Sequence, residues 1–253
     1  MLNSIPWTNP WLIATLLNTI LLIIAFLLPK KLLTPTGYLH AWLLGVIIWG
    51  TLGWQGYAVV MFYFLAGSLI TLIGIEKKEA EGIAEKRSGV RGPENVWGSA
   101  LTAAICALGT LLVDPAIANL LILGYVASFS TKLSDTSASE VGKAYGERTF
   151  LITTFESVPP GTEGAVSLEG TIAGVLASIL IALLGYTVGL IDLLGIVYCV
   201  IAAFIATNLE SVIGATVQEK FTWLTNEVVN FINTLIGATV AILLALIIQT
   251  IFS

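Results

Sequence analysis

The sequence predicts an all-α integral membrane protein: a polytopic bundle of about eight transmembrane helices, seven at the fewest and nine at the most. Three observations predict it. Hydrophobic residues make up 57% of the 253 residues and charged residues only 11%, with a mean hydropathy of +0.93. Apolar windows recur along the whole chain, at 11–28, 39–54, 57–75, 97–113, 116–131, 168–188, 192–209 and 232–252. The basic residues fall only in alternate connections between these windows. A soluble domain carries roughly 25% charged residues, so this chain cannot clothe a water-facing surface.

Taken in order, the first window is followed by Lys30 and Lys31, while the stretch before it, MLNSIPWTNP, holds no Lys or Arg. A secretory signal needs a basic region ahead of its apolar core, so this segment reads as an anchor helix with its N-terminus translocated. The second and fifth windows are short for a hydrocarbon core of about 30 Å, which takes roughly 20 residues. They are tilted, re-entrant or longer than their apolar runs. Lys77, Lys78, Lys86, Arg87 and Arg91 follow the third window, Lys132, Lys143 and Arg148 the fifth, and Lys220 the seventh. The connections GTLGWQGY, VDPAIAN and TVGLID hold no basic residue. The positive-inside bias then places the basic connections in the cytoplasm and both termini on the other side.

The chain reads as one integral membrane domain, 1–253, with three long cytoplasmic-face connections at 76–96, 132–167 and 210–231. Most of the carboxylates lie there too; Asp114 and Asp192 are the two in the outer turns. Acidic residues do little to set orientation, so the inner face has a task besides topology. One inner stretch, EKKEAEGIAEKR, alternates sign at helical spacing and reads as a solvated surface helix. Cys106 and Cys199 lie in apolar runs and form no disulfide or zinc pattern. The single histidine, His40, lacks nearby ligand-type partners and reads as interfacial.

Four polar constellations stand out. KLSDTSASEVGKAYG, Lys132–Gly146, follows directly on an apolar run. If it is helical, Asp135 and Ser139 share a face, flanked by Lys132 and Glu140. A carboxylate at membrane depth costs about 2.5–3.5 kcal/mol even on lenient scales, and is tolerated when paired, hydrated or holding a metal. Asp135 with Glu140 suits Mg²⁺, which takes one or two carboxylates plus phosphate oxygens, and Lys132, Lys143 and Arg148 suit phosphates. The same residues also read as a capped, solvated helix end. ESVPPGTEGAVSLEGT turns at Pro159–Pro160–Gly161. Thr162, Gly164, Ser167, Gly170 and Thr171 then lead into a helix whose N-terminus suits an anion, Ser167 serving equally as an ordinary N-cap. In NLESVIGATVQEKFTWLTNEVVN, Glu210, Gly214 and Gln218 share one face beside Ser211, and Asn226 and Asn230 repeat the spacing. An intramembrane Glu such as Glu210 marks a functional site. In RSGVRGPENVWGSA, Arg91 and Asn95 precede the fourth window; Arg91 also serves as a topology charge.

No GxxxxGK[ST], no GxGxxG after a strand and no HExxH occurs, and one isolated His supports no nucleophile triad. The net charge of −5 excludes nucleic acid as a partner. Carboxylates, cations and small polar residues on the inner face of a lipid-embedded bundle suit chemistry on a polar head with a membrane-soluble tail. Phosphoryl transfer fits, since it needs positioning, Mg²⁺ and cations more than a nucleophilic side chain.

SDTSASEVG, PPGTEGAVSLEGTIAG, LESVIGATVQ and TNEVVN, in that order, resemble the signature segments of the membrane family that includes phytyl-phosphate kinase. RGPENVW resembles its chloroplast and cyanobacterial members. The resemblance covers about 85–240. It implies kinship with phytol and dolichol kinases and, more distantly, with CDP-diacylglycerol synthases. It implies transfer of a phosphoryl group from a nucleoside triphosphate, CTP first, to phytyl monophosphate. The product is phytyl diphosphate, for tocopherol and phylloquinone synthesis, in a plasma or thylakoid membrane with the active face cytoplasmic or stromal. On this resemblance Asp135 is the motif acid, with Ser139 and Glu140 beside it; Glu210 falls where many relatives carry Asp, and Ser99 and Lys132 where other branches show Asn or Ala. Asp135, Glu140 and Glu210 are then the expected Mg²⁺ ligands and, with Ser139, the catalytic set. Lys132, Lys143, Arg148, Arg91 and the polar residues named above form the phosphate site. A kinase of the free alcohol, a CDP-lipid cytidylyltransferase and a small-solute or ion transporter remain alternatives. Small-residue pairs such as Gly185–Gly189 pack helices within one chain or between two, which leaves a homodimer open.

Overall fold

The computed structural model describes residues 8–29 and 31–252. Lys30 and all of the MLNSIPW stretch, on which the translocated N-terminus rests, lie outside the described residues. The chain forms α1 (Pro10–Leu27), α2 (Pro35–Thr71), α3 (Ile75–Ala80), α4 (Pro93–Gly109) and α5 (Pro115–Tyr145). Two short strands follow, β1 (Thr149–Leu151) and β2 (Ala165–Ser167), then α6 (Leu168–Thr187), α7 (Leu193–Thr216) and α8 (Asn226–Phe252). Six of these helices, α1, α2, α5, α6, α7 and α8, are long and apolar enough to cross a membrane. Their outward faces carry exposed Leu, Ile and Phe along the bundle, among them Ile20, Ile23, Leu176 and Ile247. Such a surface belongs against lipid, not water.

Helix starts follow local chemistry. Proline stands in the first turn of α1, α2, α4 and α5, where its missing N–H costs nothing. Asn9, Thr34 and Asp114 cap α1, α2 and α5 with side-chain oxygens. The two outer acids are both caps: Asp114 accepts from the Ala116 N–H at 2.9 Å, and Asp192 from the Gly195 N–H at 2.7 Å at the start of α7. Both acids therefore have a structural role.

The 37-residue α2 is two arms. Gly53, with φ 64° and ψ −159°, leaves helical geometry at the junction, and only glycine takes that backbone freely. The arms fold back on one another. The Arg91 carbonyl accepts from the Thr34 N–H at 3.0 Å, while the Arg91 guanidinium donates to the Tyr63 hydroxyl at 3.2 Å. In a straight helix, positions 34 and 63 would lie about 43 Å apart, beyond the reach of one arginine. The segments expected at 39–54 and 57–75 are these two arms.

α5 is the axis of the bundle. It packs against α2, α4, α6, α7 and α8, and every residue from Leu123 to Asp135 is buried. A helix buried all round lies at the centre of its fold. Tyr125 and Phe129 meet edge to face, with centroids 5.2 Å apart, and Leu133 and Ile181 are likewise fully buried. At 31 residues, about 46 Å, α5 exceeds a hydrocarbon core of about 30 Å. The stretch 132–145 is thus the end of α5 and not the opening of a connection as expected. For the same reason 210–216 completes α7, and 226–231 opens α8. Amide hydrogen bonds made inside a helix leave nothing unsatisfied near lipid, so the helices run on through their polar residues.

Two further differences concern the connections expected at 76–96 and 132–167. EKKEAEGIAEKR is not one surface helix. α3 stops at Ala80, a turn follows, and a 3₁₀ segment occupies Lys86–Gly89. Between α5 and α6, β1 and β2 pair antiparallel with Thr149 opposite Ser167. This small hairpin is the one non-helical element in the described fold, and the Pro159–Pro160–Gly161 turn explains it, since that sequence cannot continue a helix.

Gly170 sets the distance between α5 and α6. A Cβ placed there would lie 2.4 Å from the Ala138 carbonyl oxygen. Gly185, from the small-residue pair, meets Val126 of the same chain, so it packs α6 on α5. Gly170→Val should lower stability by about 1–3 kcal/mol through overpacking, seen as a fall in the midpoint of thermal unfolding in detergent. A midpoint equal to that of the parent protein would show that the helices part freely there.

Candidate active site

Where the basic connections gather, the bundle opens into a cleft of about 540 Å³. Its deepest polar residues come from α5. Lys132 donates to Asp135 Oδ2 at 2.5 Å and to Asn230 Oδ1 of α8 at 2.6 Å. Both charged side chains are more than nine-tenths buried. From α7, the half-buried Glu210 lines the same cleft, and its carboxyl interacts electrostatically with that of Asp135. Two neighbouring carboxyl groups are held by a shared proton or a shared cation, and one lysine offsets only one of them. Asp135, Lys132, Glu210 and Asn230, drawn from three helices, form the floor.

Glu140 belongs to a different cluster. Its Oε2 is paired with Lys78 of α3, which is fully buried. Its Oε1 lies 3.6 Å from the Lys143 ammonium. Lys78 also donates to the Thr71 carbonyl at 2.9 Å, and Lys77 to the Ala144 carbonyl at 3.0 Å. The expected three-carboxylate metal set of Asp135, Glu140 and Glu210 is therefore not assembled. Among the described residues, no three acidic, histidine or cysteine side chains converge to hold a metal ion. The reason is helical geometry: Asp135 and Glu140 stand five positions apart, which turns them about 140° from one another around α5.

The outer wall comes from the segment before α4. Arg91 lies over the rings of Tyr63 and Phe64, 5.5 Å and 5.9 Å from their centroids. Arg87 donates to Glu94 at 2.5 Å and to Asn95 at 2.8 Å. Asn95 also accepts from the Gly92 N–H at 2.9 Å, so it doubles as the cap of α4. Both arginines line the cleft, with Ser99 deeper in the same wall.

The remaining predicted residues divide. Ser139, Lys143, Thr162, Gly164, Ser167, Ser211, Gln218, Asn226 and Asn230 line the cleft. Gln218 is held by Asn226 at 2.5 Å, and Gly214 lines the cleft with Glu210 and Gln218, as their shared face predicts. Ser167 is the N-cap of α6, accepting from the Gly170 N–H at 3.1 Å. Gly170 and Thr171 do not reach the main cleft; they line a smaller cavity beside it. Arg148 is exposed and lies outside both cavities. His40 accepts from the Trp97 indole at 2.8 Å, far in function from a general base.

Lys78, Arg87, Tyr63, Glu163 and Glu227 line or support the cleft and were not foreseen. Arg87 sits at the head of RSGVRGPENVW, near enough to the motif to have been included. Nothing local distinguishes Lys78 from its exposed neighbours in a charged run; its burial comes from the docking of α3 on α5.

The donor set fits a hard divalent cation. Asp135 and Glu210 offer oxygen ligands at one point, which is what Mg²⁺ takes from protein when phosphate oxygens complete its shell. Glu140, with both oxygens claimed by lysines, does not fit that role.

A bundle of apolar helices that brings an acid–lysine–acid cluster to a polar cleft at one end is an integral membrane protein with a candidate site at that end. The chain belongs to the family described as integral membrane protein DUF92, which matches residues 18–238. It is 67% identical over 233 residues to membrane protein sll0875 of Synechocystis sp., covering 92% of this chain and 90% of that one. It is 44% identical over 238 residues to Protein VTE6, chloroplastic, of Arabidopsis thaliana, covering 92% and 72%. With membrane protein MJ0933 of Methanocaldococcus jannaschii it shares 34% over 227 residues, 89% and 91% of the two chains. No solved structure matches.

Lys78→Met strands a buried Glu140 and should cost about 3–5 kcal/mol, read as a loss of thermal stability in detergent. The double variant K78M/E140L should recover most of that loss. If K78M alone leaves stability intact, the pair does not hold α3 in place.

Proposed function

We propose that this protein is a membrane kinase that transfers the terminal phosphoryl group of a nucleoside triphosphate, CTP first, to phytyl monophosphate. The observation that carries the reading is the Asp135–Lys132–Glu210 cluster at the floor of a cleft of about 540 Å³. That volume lies within the roughly 300–1,000 Å³ of small-molecule sites. Supporting it are the ordered motifs that resemble the phytyl-phosphate kinase family, and their position inside the stretch matched by the integral membrane family.

The chemistry asks little of side chains. An oxygen of the acceptor monophosphate is already a nucleophile, so no strong general base is needed. It bonds to the terminal phosphorus of the donor, and the bond from that phosphorus to the bridging oxygen breaks, releasing nucleoside diphosphate. Asp135 and Glu210 would hold Mg²⁺, which would supply charge neutralisation on the donor phosphates. Lys132 orients Asp135 and faces the acceptor phosphate. Arg91, Arg87 and Lys143, on the rim, balance the remaining charge. Ser139, Ser211, Gln218, Asn226 and Asn230 supply neutral hydrogen bonds around the phosphates.

The same reading sets the orientation. The spans are α1, the two arms of α2, α4, α5, α6, α7 and α8, eight in all. The cleft then faces the cytoplasm or stroma in a plasma or thylakoid membrane, with both termini opposite. The product, phytyl diphosphate, serves tocopherol and phylloquinone synthesis.

The test uses purified protein in detergent, phytyl monophosphate, Mg²⁺ and each of the four nucleoside triphosphates. Phytyl diphosphate with release of nucleoside diphosphate supports the reading; release of pyrophosphate instead identifies a cytidylyltransferase. Removing Mg²⁺ with chelator should abolish turnover. Asp135→Asn should lower kcat by at least 100-fold, the scale of losing one preorganised electrostatic group, with unfolding behaviour kept. Activity in D135N equal to the parent's removes Asp135 from the mechanism.

A further inference from the structure

The cleft has a side branch. A smaller cavity of about 50 Å³ lies between α6 and α7, floored by Ser134 and Ala138 of α5. Both cavities are lined by Asp135, Ser139 and Ser211, so they meet at the carboxylate cluster.

The lining of the branch grades along both helices. On α6, positions 167, 171 and 175 share one face and read Ser, Thr, Val. On α7, positions 211, 208 and 204 run the opposite way and read Ser, Asn, Phe. Each helix passes from a small polar group beside Asp135 to an apolar side chain two turns away. The polar groups are uncharged, and their donors are used internally. Thr171 donates to the Ser167 carbonyl at 2.8 Å and Asn208 to the Phe204 carbonyl at 2.7 Å. Thr171 thus spends its one donor inside its helix, and Asn208 one of its two. At the apolar end, Phe204 and Leu176 are exposed on the outer surface of membrane-crossing helices.

We propose that the gap between α6 and α7 is a lateral portal for an amphiphile with an anionic head, the prenyl monophosphate of the kinase reading, on which this inference rests. The phosphate passes Thr171 and Asn208 to reach Asp135 while the tail stays in the bilayer against Val175 and Phe204. Admission through the aqueous mouth would draw the whole tail out of lipid, at a cost that grows with its length. The nucleotide, with no tail, comes through that mouth past Arg87 and Asn95, which line the main cleft and not the branch. The two substrates therefore approach Asp135 from different sides.

Val175→Trp and Asn208→Trp narrow the gap. For each, kcat/KM is measured with phytyl monophosphate and with the short, water-soluble isopentenyl monophosphate. The ratio of long-chain to short-chain kcat/KM should fall at least tenfold, through KM for the long acceptor. A ratio equal to the parent's overturns the portal. Asn208→Cys gives a readout that needs no turnover, because the native Cys106 and Cys199 are buried. Alkylation of N208C by N-ethylmaleimide should slow several-fold with phytyl monophosphate, and not with isopentenyl monophosphate. No protection, or equal protection by isopentenyl monophosphate, overturns the portal. Protection in a protein that phosphorylates no prenyl monophosphate would sink the kinase reading and leave the portal standing.

Discussion

A carboxylate buried at the centre of a helical bundle must be paired, and the pairing of Asp135 organises the inner half of this molecule. Its partner Lys132 comes from one turn earlier on α5, the second acceptor for that lysine from α8, and the neighbouring carboxyl from α7. Three helices are thereby held in register at one point. Were any one displaced, an unpaired charge would be left in a low-dielectric interior, where it is most costly. Local excess of negative charge is the outcome, and the cleft above it is where a cation and phosphates can satisfy it.

Around that point the protein builds walls of different character. The wall formed by Arg87 and Arg91 is tied down through backbone and ring contacts, with Arg91 seated on Tyr63 and Phe64. The wall formed by α6 is fixed by close approach to α5 at Gly170 and carries no charge along the smaller cavity except Asp135 at its inner end. Cationic rim on one side and neutral polar slot on the other make the cleft asymmetric about its floor. The buried Lys78–Glu140 pair stands apart from both and joins α3 to the end of α5.

Much of this was legible in the sequence, because lipid simplifies the code. Apolar windows and alternate basic connections locate the helices, and four polar motifs name most of the cleft. What was missed has physical causes. Apolar runs end where polarity begins, but helices do not: α5 and α7 continue through Lys132–Tyr145 and Glu210–Thr216, since intrahelical bonds satisfy the backbone whatever the side chains. Glu140 was grouped with Asp135 because both stand in one motif, although the helical turn aims them at different partners. Lys78 was read as solvated because burial by a distant element leaves no periodic trace. Arg148 shares a connection with real cleft residues and yet projects outward, as charge alone does not fix direction.

The tie made by Arg91 also bears on assembly during synthesis. The linker after α1 finds its hydrogen-bond partners in the backbone of Arg91, which accepts from Thr34 and donates to Leu32. Those groups leave the ribosome long before residue 91 does. Until α4 begins to form, the join between the first two helices has no permanent partner and must remain solvated at the membrane surface. The N-terminal helices are thus inserted first and locked later. The element that locks them is also one wall of the cleft, so the N-terminal half closes against a wall whose floor, from α5, α7 and α8, is still to come.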